Sequence, residues 1–295
     1  MFLAGGTEMG ERIAAHDWSL TPLGPIAGWP QSLRTAISLI LNAQHPMWVG
    51  WGPQMTFFYN DAYISVLSLA KHPQALGRPA AEIWKEIWDI CGPLADKVFQ
   101  HGEASFMNDV RLFMNRGDFL EETFYSFSYS PIRDESGNVG GLFCPSAEVT
   151  AKVLNTRRLR TLSELAAGSL VEKSPEGACA AAAAILAKNP DDIPFALLYL
   201  SDGATLRLTQ TVALAAGHIE ISPETIDLSG TPGNPPFWPV APIMRTAQLR
   251  VVPLPATAGF PRGTANQPVG QASQHSCRRR VELLWSAERR VPFSV

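Results

Sequence analysis

The residues that could do chemistry are scattered rather than grouped. Four cysteines, Cys91, Cys144, Cys179 and Cys277, show neither CxxC nor any other metal-ligand spacing, which points to buried, reduced thiols. Six histidines lie far apart, and none has metal-ligand spacing. No Gly-x-Ser-x-Gly run offers a nucleophile on a tight elbow, which leaves hydrolase chemistry the weakest expectation. The P-loop pattern is absent, and the glycines of Gly137-Asn138-Val139-Gly140-Gly141 read as a strand turn. The chain is therefore not expected to be an enzyme. What it concentrates instead is aromatic surface. Trp84, Trp88, Phe106, Tyr125 and Phe127 could wall a cavity for a small molecule. The competing reading is that rings at regular spacing simply fill a core.

Periodicity places these rings on elements. Tyr125, Phe127 and Tyr129 alternate with Ser126, Ser128 and Ser130, the mark of a strand with one apolar and one polar face. Pro131 is expected to end its regular pairing, and Asp134 to Asn138 to turn the chain into a returning strand from Val139 to Cys144. Phe106 to Met114 is a further strand. Met47 to Trp51 and Met55 to Tyr59 form an earlier hairpin around Gly52-Pro53. Between the hairpins, Asn60 or Asp61 caps a short helix carrying Tyr63, Val66 and Leu67. A longer amphipathic helix follows, with Ile83, Ile87, Ile90 and Leu94 on one stripe widened by Trp84, Trp88 and Cys91. Gly92-Pro93 is expected to kink or restart that helix, and His101-Gly102 to close it. Ahead of the sheet, Ser32 is a plausible cap for a helix bearing Leu33, Ile37, Ile40 and Leu41. Residues 1–31 are rich in Pro and Gly, a leader whose Trp18 and Trp29 pack onto the next unit. The sum is an α+β fold, antiparallel by hairpin logic.

Composition bounds the rest. At 295 residues there is room for about two domains, and 46% hydrophobic content indicates globular packing. A net charge of -3 gives no footprint for nucleic acid or an anionic membrane. No apolar run reaches the roughly 20 residues that span a bilayer, and Met1 to Gly6 lacks a positive n-region. A cytoplasmic location is expected.

Three groups of residues resemble a PAS domain, a five-stranded antiparallel sheet with helices on one face. They are Phe58-Tyr59-Asn60-Asp61-Ala62-Tyr63, Leu76-Gly77-Arg78-Pro79, and Tyr129-Ser130-Pro131-Ile132-Arg133-Asp134 with Gly137 and Gly141. Glu148-Val149-Thr150 stands where that family often has Asp-Ile-Thr or Asp-Val-Thr before its output helix, with Glu in place of Asp. The resemblance implies that these three residues relay a signal from sheet to helix. His16-Asp17-Trp18-Ser19, Pro22-Leu23-Gly24-Pro25 and the run from Gly28 to Thr35 resemble the opening of bacterial PAS–GAF sensor histidine kinases. On this reading 32–150 is the PAS domain. Cys91 lies in Asp89-Ile90-Cys91-Gly92-Pro93, unlike the run of the light-sensing subclass, so an adduct-forming flavin is not expected. Haem is not expected either, because His72 and His101 sit at helix edges. The cofactor is left open.

Downstream, residues 151–172 read as a linker helix that could pair with itself in a dimer. Ser174-Pro175-Glu176 opens another helix, and Phe195 to Leu200 with Thr205 to Val212 forms a hairpin around Asp202-Gly203. This succession resembles the start of a GAF domain, over 173–260, left incomplete before a poorly ordered tail at 261–295. No histidine sits in a phosphoacceptor setting: only His16 is followed by an acid, and it lies in the leader. The expected function is a sensory input module of two-component signalling that lacks its own kinase core. A homodimer or kinase partner and a small-molecule ligand go with it. The alternative is a ligand-free PAS dimerisation scaffold.

Overall fold

The structure is a computed structural model. It describes residues 6–116, 120–214 and 221–228, with residue 3, Trp238, Val240, Met244 and the backbone of 250–253 and 280–283. The chain divides into two compact units, residues 1–153 and 154–295.

In the first unit, helices α1 (Glu8–Ala15) and α2 (Gln31–Leu41) precede strands β1 (Met47–Trp51) and β2 (Thr56–Tyr59). Helices α3 (Ile64–Lys71), α4 (Ala80–Ile83) and α5 (Trp88–His101) lead to β3 (Ser105–Asn115), β4 (Leu120–Arg133) and β5 (Val139–Glu148). The five strands form one antiparallel sheet in the order β2-β1-β5-β4-β3. That sheet and its connecting helices are the α+β class expected from the succession of hairpins and helices, and the five-stranded arrangement that the PAS resemblance implies. Tyr125, Phe127 and Tyr129 are buried on its inner face with Trp48, Phe57 and Tyr59.

The leader adds a layer on the opposite face. Phe58 points away from its neighbours Phe57 and Tyr59, because successive strand side chains alternate. Its ring stacks on Trp18 at 5.0 Å and meets Trp29 edge-on at 5.4 Å. The Pro/Gly punctuation hides α1, which buries Met9 and Ile13 completely. Thr7 caps it by accepting from the Gly10 amide, and Asp61 accepts from the Glu8 and Met9 amides at 3.0 and 2.9 Å. Asn60 meanwhile caps the turn at Asp61–Tyr63, so the two adjacent residues serve two different helices.

Three local expectations are corrected. Ser32 lies inside α2, whose N-cap is Pro30, and its amide donates to Glu135 Oε1 at 2.8 Å. Pro131 stays in the ladder opposite Leu142. It does so because β3 begins at Ser105, opposite Tyr129, so Pro131 has no partner strand on that side. The long amphipathic helix breaks at Trp84–Ile87, where both residues leave helical geometry and are buried. It then runs on through Pro93, and Ile90 is 43% exposed rather than on the core stripe.

In the second unit, α6 (Thr150–Val171), which begins in the first, is followed by α7 (Pro175–Leu186). Ser174 caps α7 by accepting from the Gly177 amide. Strands β6 (Ala196–Asp202), β7 (Thr205–Val212) and β8 (Thr225–Asp227) form an antiparallel sheet in that order. Leu206, Ile221, Ile226 and Trp238 are its buried centre. Arg157 grips Asp192 with two nitrogens at 2.9 and 2.7 Å, and Asn189 donates to both Asp192 and Thr161. Strands β9 (Arg250–Pro253) and β10 (Arg280–Leu283) pair antiparallel. The expected tail over 261–295 otherwise falls outside the described residues.

Candidate functional site

Between the inner sheet face and the helices lies a cavity of about 30 Å³, walled by Trp48, Tyr63, Trp84, Tyr125, Phe127 and Tyr129 among others. Three of the five expected rings are on this wall. Trp88 is not; it lies partly buried against the same core. Phe106 is a correction, since it is 69% exposed. Counting back by twos from Met114 puts Phe106 inward, but one extra residue enters β3 between Met107 and Val110. Asp109 takes up that bulge with φ 50°, which turns Met107 toward Phe127 and sets Phe106 opposite Ser128. Trp48 and Tyr63 were missed, whereas Tyr129 continues the alternation that exposed Tyr125 and Phe127.

Among the described residues no charged side chain lines the cavity. Burial pushes the Cys91 thiol up to about 11 and the Cys144 thiol higher still, so both face the interior as neutral groups. Behind the wall, the Lys71 ammonium sits 4.0 Å from the Trp84 ring centroid and pairs with Glu86. A space of 30 Å³ has room for about one water, far below the roughly 300–1,000 Å³ of small-molecule sites. In this conformation the aromatic stripe is mainly core. Both His72 nitrogens are engaged, Nδ1 with the Tyr59 hydroxyl at 2.8 Å and Nε2 with Glu8 at 3.0 Å. Among the described residues there is no cluster fit to hold a metal ion, and no helix is long and apolar enough to cross a membrane.

The end of β5 carries a polar knot. Arg116 donates to both oxygens of Glu148, at 2.8 and 3.2 Å, and through Nε to Glu121 at 2.9 Å. Thr150 Oγ1 donates to Glu148 Oε1 at 2.9 Å and accepts from the Phe124 amide at 3.0 Å. The Val149 amide donates to the Phe124 carbonyl at 2.8 Å. Tyr125 donates its hydroxyl to Glu148 Oε2 at 3.0 Å while its ring lines the cavity. Burial opposes ionisation of Glu148, but the hydrogen bonds from Arg116, Thr150 and Tyr125 outweigh it and hold the carboxyl below its usual range. Burial likewise disfavours the Arg116 charge, and Glu148 with Glu121 reverses the balance and raises its pKa. Glu148 thus links the end of β5 to the first residue of α6. Arg116 was invisible in the sequence, because nothing local connects it to a residue 32 positions away.

Strand order, register and inter-strand helices together define a PAS fold for the first unit. Solved structures similar to the chain include the PAS domain from Bordetella pertussis BvgS, at 20% identity and TM-score 0.30, covering 45% of this chain and 99% of that one. A sensory box sensor histidine kinase from Vibrio cholerae is similar at 15% identity and TM-score 0.29, covering 38% and 86%. An RNA-binding light-oxygen-voltage receptor is similar at 22% identity and TM-score 0.34, covering 52% of this chain. The match spans 43% of that receptor's length. No protein-family model and no curated protein matches the chain.

Proposed function

We propose that the chain is a sensory input module of two-component type, in which a change at the PAS core is relayed into α6. The observation that supports this most directly is Tyr125. One side chain contributes a wall of the cavity and a hydrogen bond to Glu148, the last residue of β5. Glu148 in turn holds Thr150, the first residue of α6. A shift of the ring by a few tenths of an ångström would change hydrogen-bond geometry at the start of the helix. On this reading Glu148, Val149 and Thr150 are the relay, and Arg116 is its anchor. The second unit is GAF-like, and output passes to a kinase partner or a second copy through α6.

Hydrogen exchange tests the relay. Replacing Tyr125 with Phe keeps the ring and removes only the hydroxyl, so faster exchange is expected over Val149 to Val153 with the β1–β2 hairpin unchanged. Unaltered exchange at the start of α6 would sink the relay.

The second reading, a ligand-free dimerisation scaffold, is favoured by one observation, the 30 Å³ cavity. A filled core needs no ligand to be stable. Native mass spectrometry of the purified full chain separates the two: a bound organic molecule supports sensing at the core, and an empty dimer supports the scaffold.

A further inference from the structure

Ligand-sized space exists in the first unit, but outside the core. A groove of about 760 Å³ opens at the turn end of the sheet, between the β1–β2 turn, α5 and the β4–β5 turn. Its apolar wall includes Trp51, Met55 and Phe99, and its polar wall includes Asp96, Asp134 and Glu135. Among the described residues no Lys, Arg or His lines it.

Two features make it more than a dent with acids nearby. The Trp51 ring is seated on the backbone of Gly140 and Gly141, where a Cβ would lie 3.0 and 2.5 Å from ring atoms. The aromatic wall is therefore fixed in place before any ligand arrives. The carboxylates of the two turn residues are fixed as well, but by neutral donors. Asp134 accepts from the Ser136 and Asn138 amides and the Ser136 hydroxyl, and Glu135 accepts from the Ser32 amide and hydroxyl. These contacts orient the groups without cancelling their charge, and they hold both carboxyls below their usual range. Arg133 lies at the same turn and donates to the Gly137 carbonyl at 2.9 Å, but it is not among the described lining residues. A concave site with a fixed ring, apolar side walls and three carboxylates is complementary to one ligand chemistry.

We propose that this groove binds a small organic cation, an amine or quaternary ammonium with an apolar body that packs on Phe99 and on the small edge of the otherwise buried Trp51 ring that the groove reaches. The charged head lies toward Asp96 and the turn carboxylates. β5 starts in the groove wall at Val139 and ends at Glu148, so occupancy would also bear on the start of α6; that extension rests on the relay proposed above.

The test is isothermal titration of the full-length protein with benzyltrimethylammonium, and with phenylacetate as the anion of similar apolar size. The cation is expected to bind and the anion not, with affinity falling as ionic strength rises. Asp96 is exposed on α5, so Asp96→Asn leaves the fold intact, and it is expected to weaken the cation about two- to five-fold. Phe99→Leu is expected to weaken it as well. Absence of cation binding, equal binding of phenylacetate, or an Asp96→Asn affinity equal to wild type would overturn the site. Hydrogen exchange at the start of α6, measured with the cation bound, reports separately on the extension. Binding without any change there leaves the groove standing and removes its link to the relay.

Discussion

Arg116 forks onto Glu148, its two terminal nitrogens 2.8 and 3.2 Å from the two carboxylate oxygens. The contact joins the β3–β4 hairpin to the last residue of β5, two positions before α6 begins. Arg116→Gln keeps a hydrogen-bonding side chain and removes the charge and the fork. The expected cost is about 1–2 kcal/mol in urea unfolding, the scale of a partly exposed charge-assisted pair. Faster exchange at Thr150 to Val153 should accompany it. A variant as stable as wild type, with unchanged exchange, would show that the pair holds nothing.

The same contact fixes a pH dependence. Glu148 titrates below its ordinary 4.5 in the folded chain, because Arg116, Thr150 and Tyr125 overcome the burial that opposes its charge. Its contribution to stability is complete above about pH 4.5 and is lost as pH falls through the depressed folded value. The urea midpoint of wild type should therefore drop more steeply below pH 4.5 than that of Arg116→Gln. Parallel acid limbs for the two proteins would contradict this assignment.

The leader is structural rather than accessory. Trp18 is buried, stacks on Phe58 and donates its indole N–H to the Ile13 carbonyl at 2.7 Å. Trp18→Ala should cost about 3–5 kcal/mol, as for other large rings removed from a core. Leu20, two residues on, is 85% exposed, and Leu20→Ala should change stability by less than about 0.5 kcal/mol. Chemical denaturation of the pair checks both, and equal effects would refute the packing of Trp18.

Gly141 is held by space rather than by backbone freedom. A Cβ there would sit 2.5 Å from the Trp51 ring and 2.9 Å from the Gly50 carbonyl oxygen. The second atom is backbone in a paired strand and has little room to yield. Gly141→Ala should destabilise by roughly 1–3 kcal/mol and shift the Trp51 fluorescence. Gly137, with nothing near its Cβ position but φ 86°, should cost less on the same change, about 1 kcal/mol.

What could be read from sequence is what short-range physics fixes. The alternation from Tyr125 to Ser130 needs only the two-residue period of a strand, and the Ser174-Pro175 helix start needs only its own first turn. What could not be read depends on distant partners. α1 has a local cap in Thr7, but its first amides are completed by the distant Asp61, and the Ser32 amide of α2 by Glu135, so part of each start is written far from the helix it serves. Phe106 was misplaced because a single inserted residue at Asp109 reverses the inside and outside of the strand before it. Of the site, the inward face of the β4 rings was legible from alternation, Glu148, Val149 and Thr150 were singled out only through the PAS resemblance, and Arg116 was not legible at all. The groove brings together turns and a helix from three separate stretches, and its carboxylates look like ordinary turn residues in the chain.

The borrowed caps set an order of events during synthesis. Asp61 emerges 53 residues after Glu8, and Glu135 emerges 103 residues after Ser32. Until those acceptors are made, α1 has only its Thr7 cap, and the Glu8, Met9 and Ser32 amides stay open to water. Trp18, Trp29 and α1 can therefore meet Phe58 and Asp61 as soon as the β1–β2 hairpin and the turn after it exist, whereas the Ser32 contact waits for the last hairpin of the first unit.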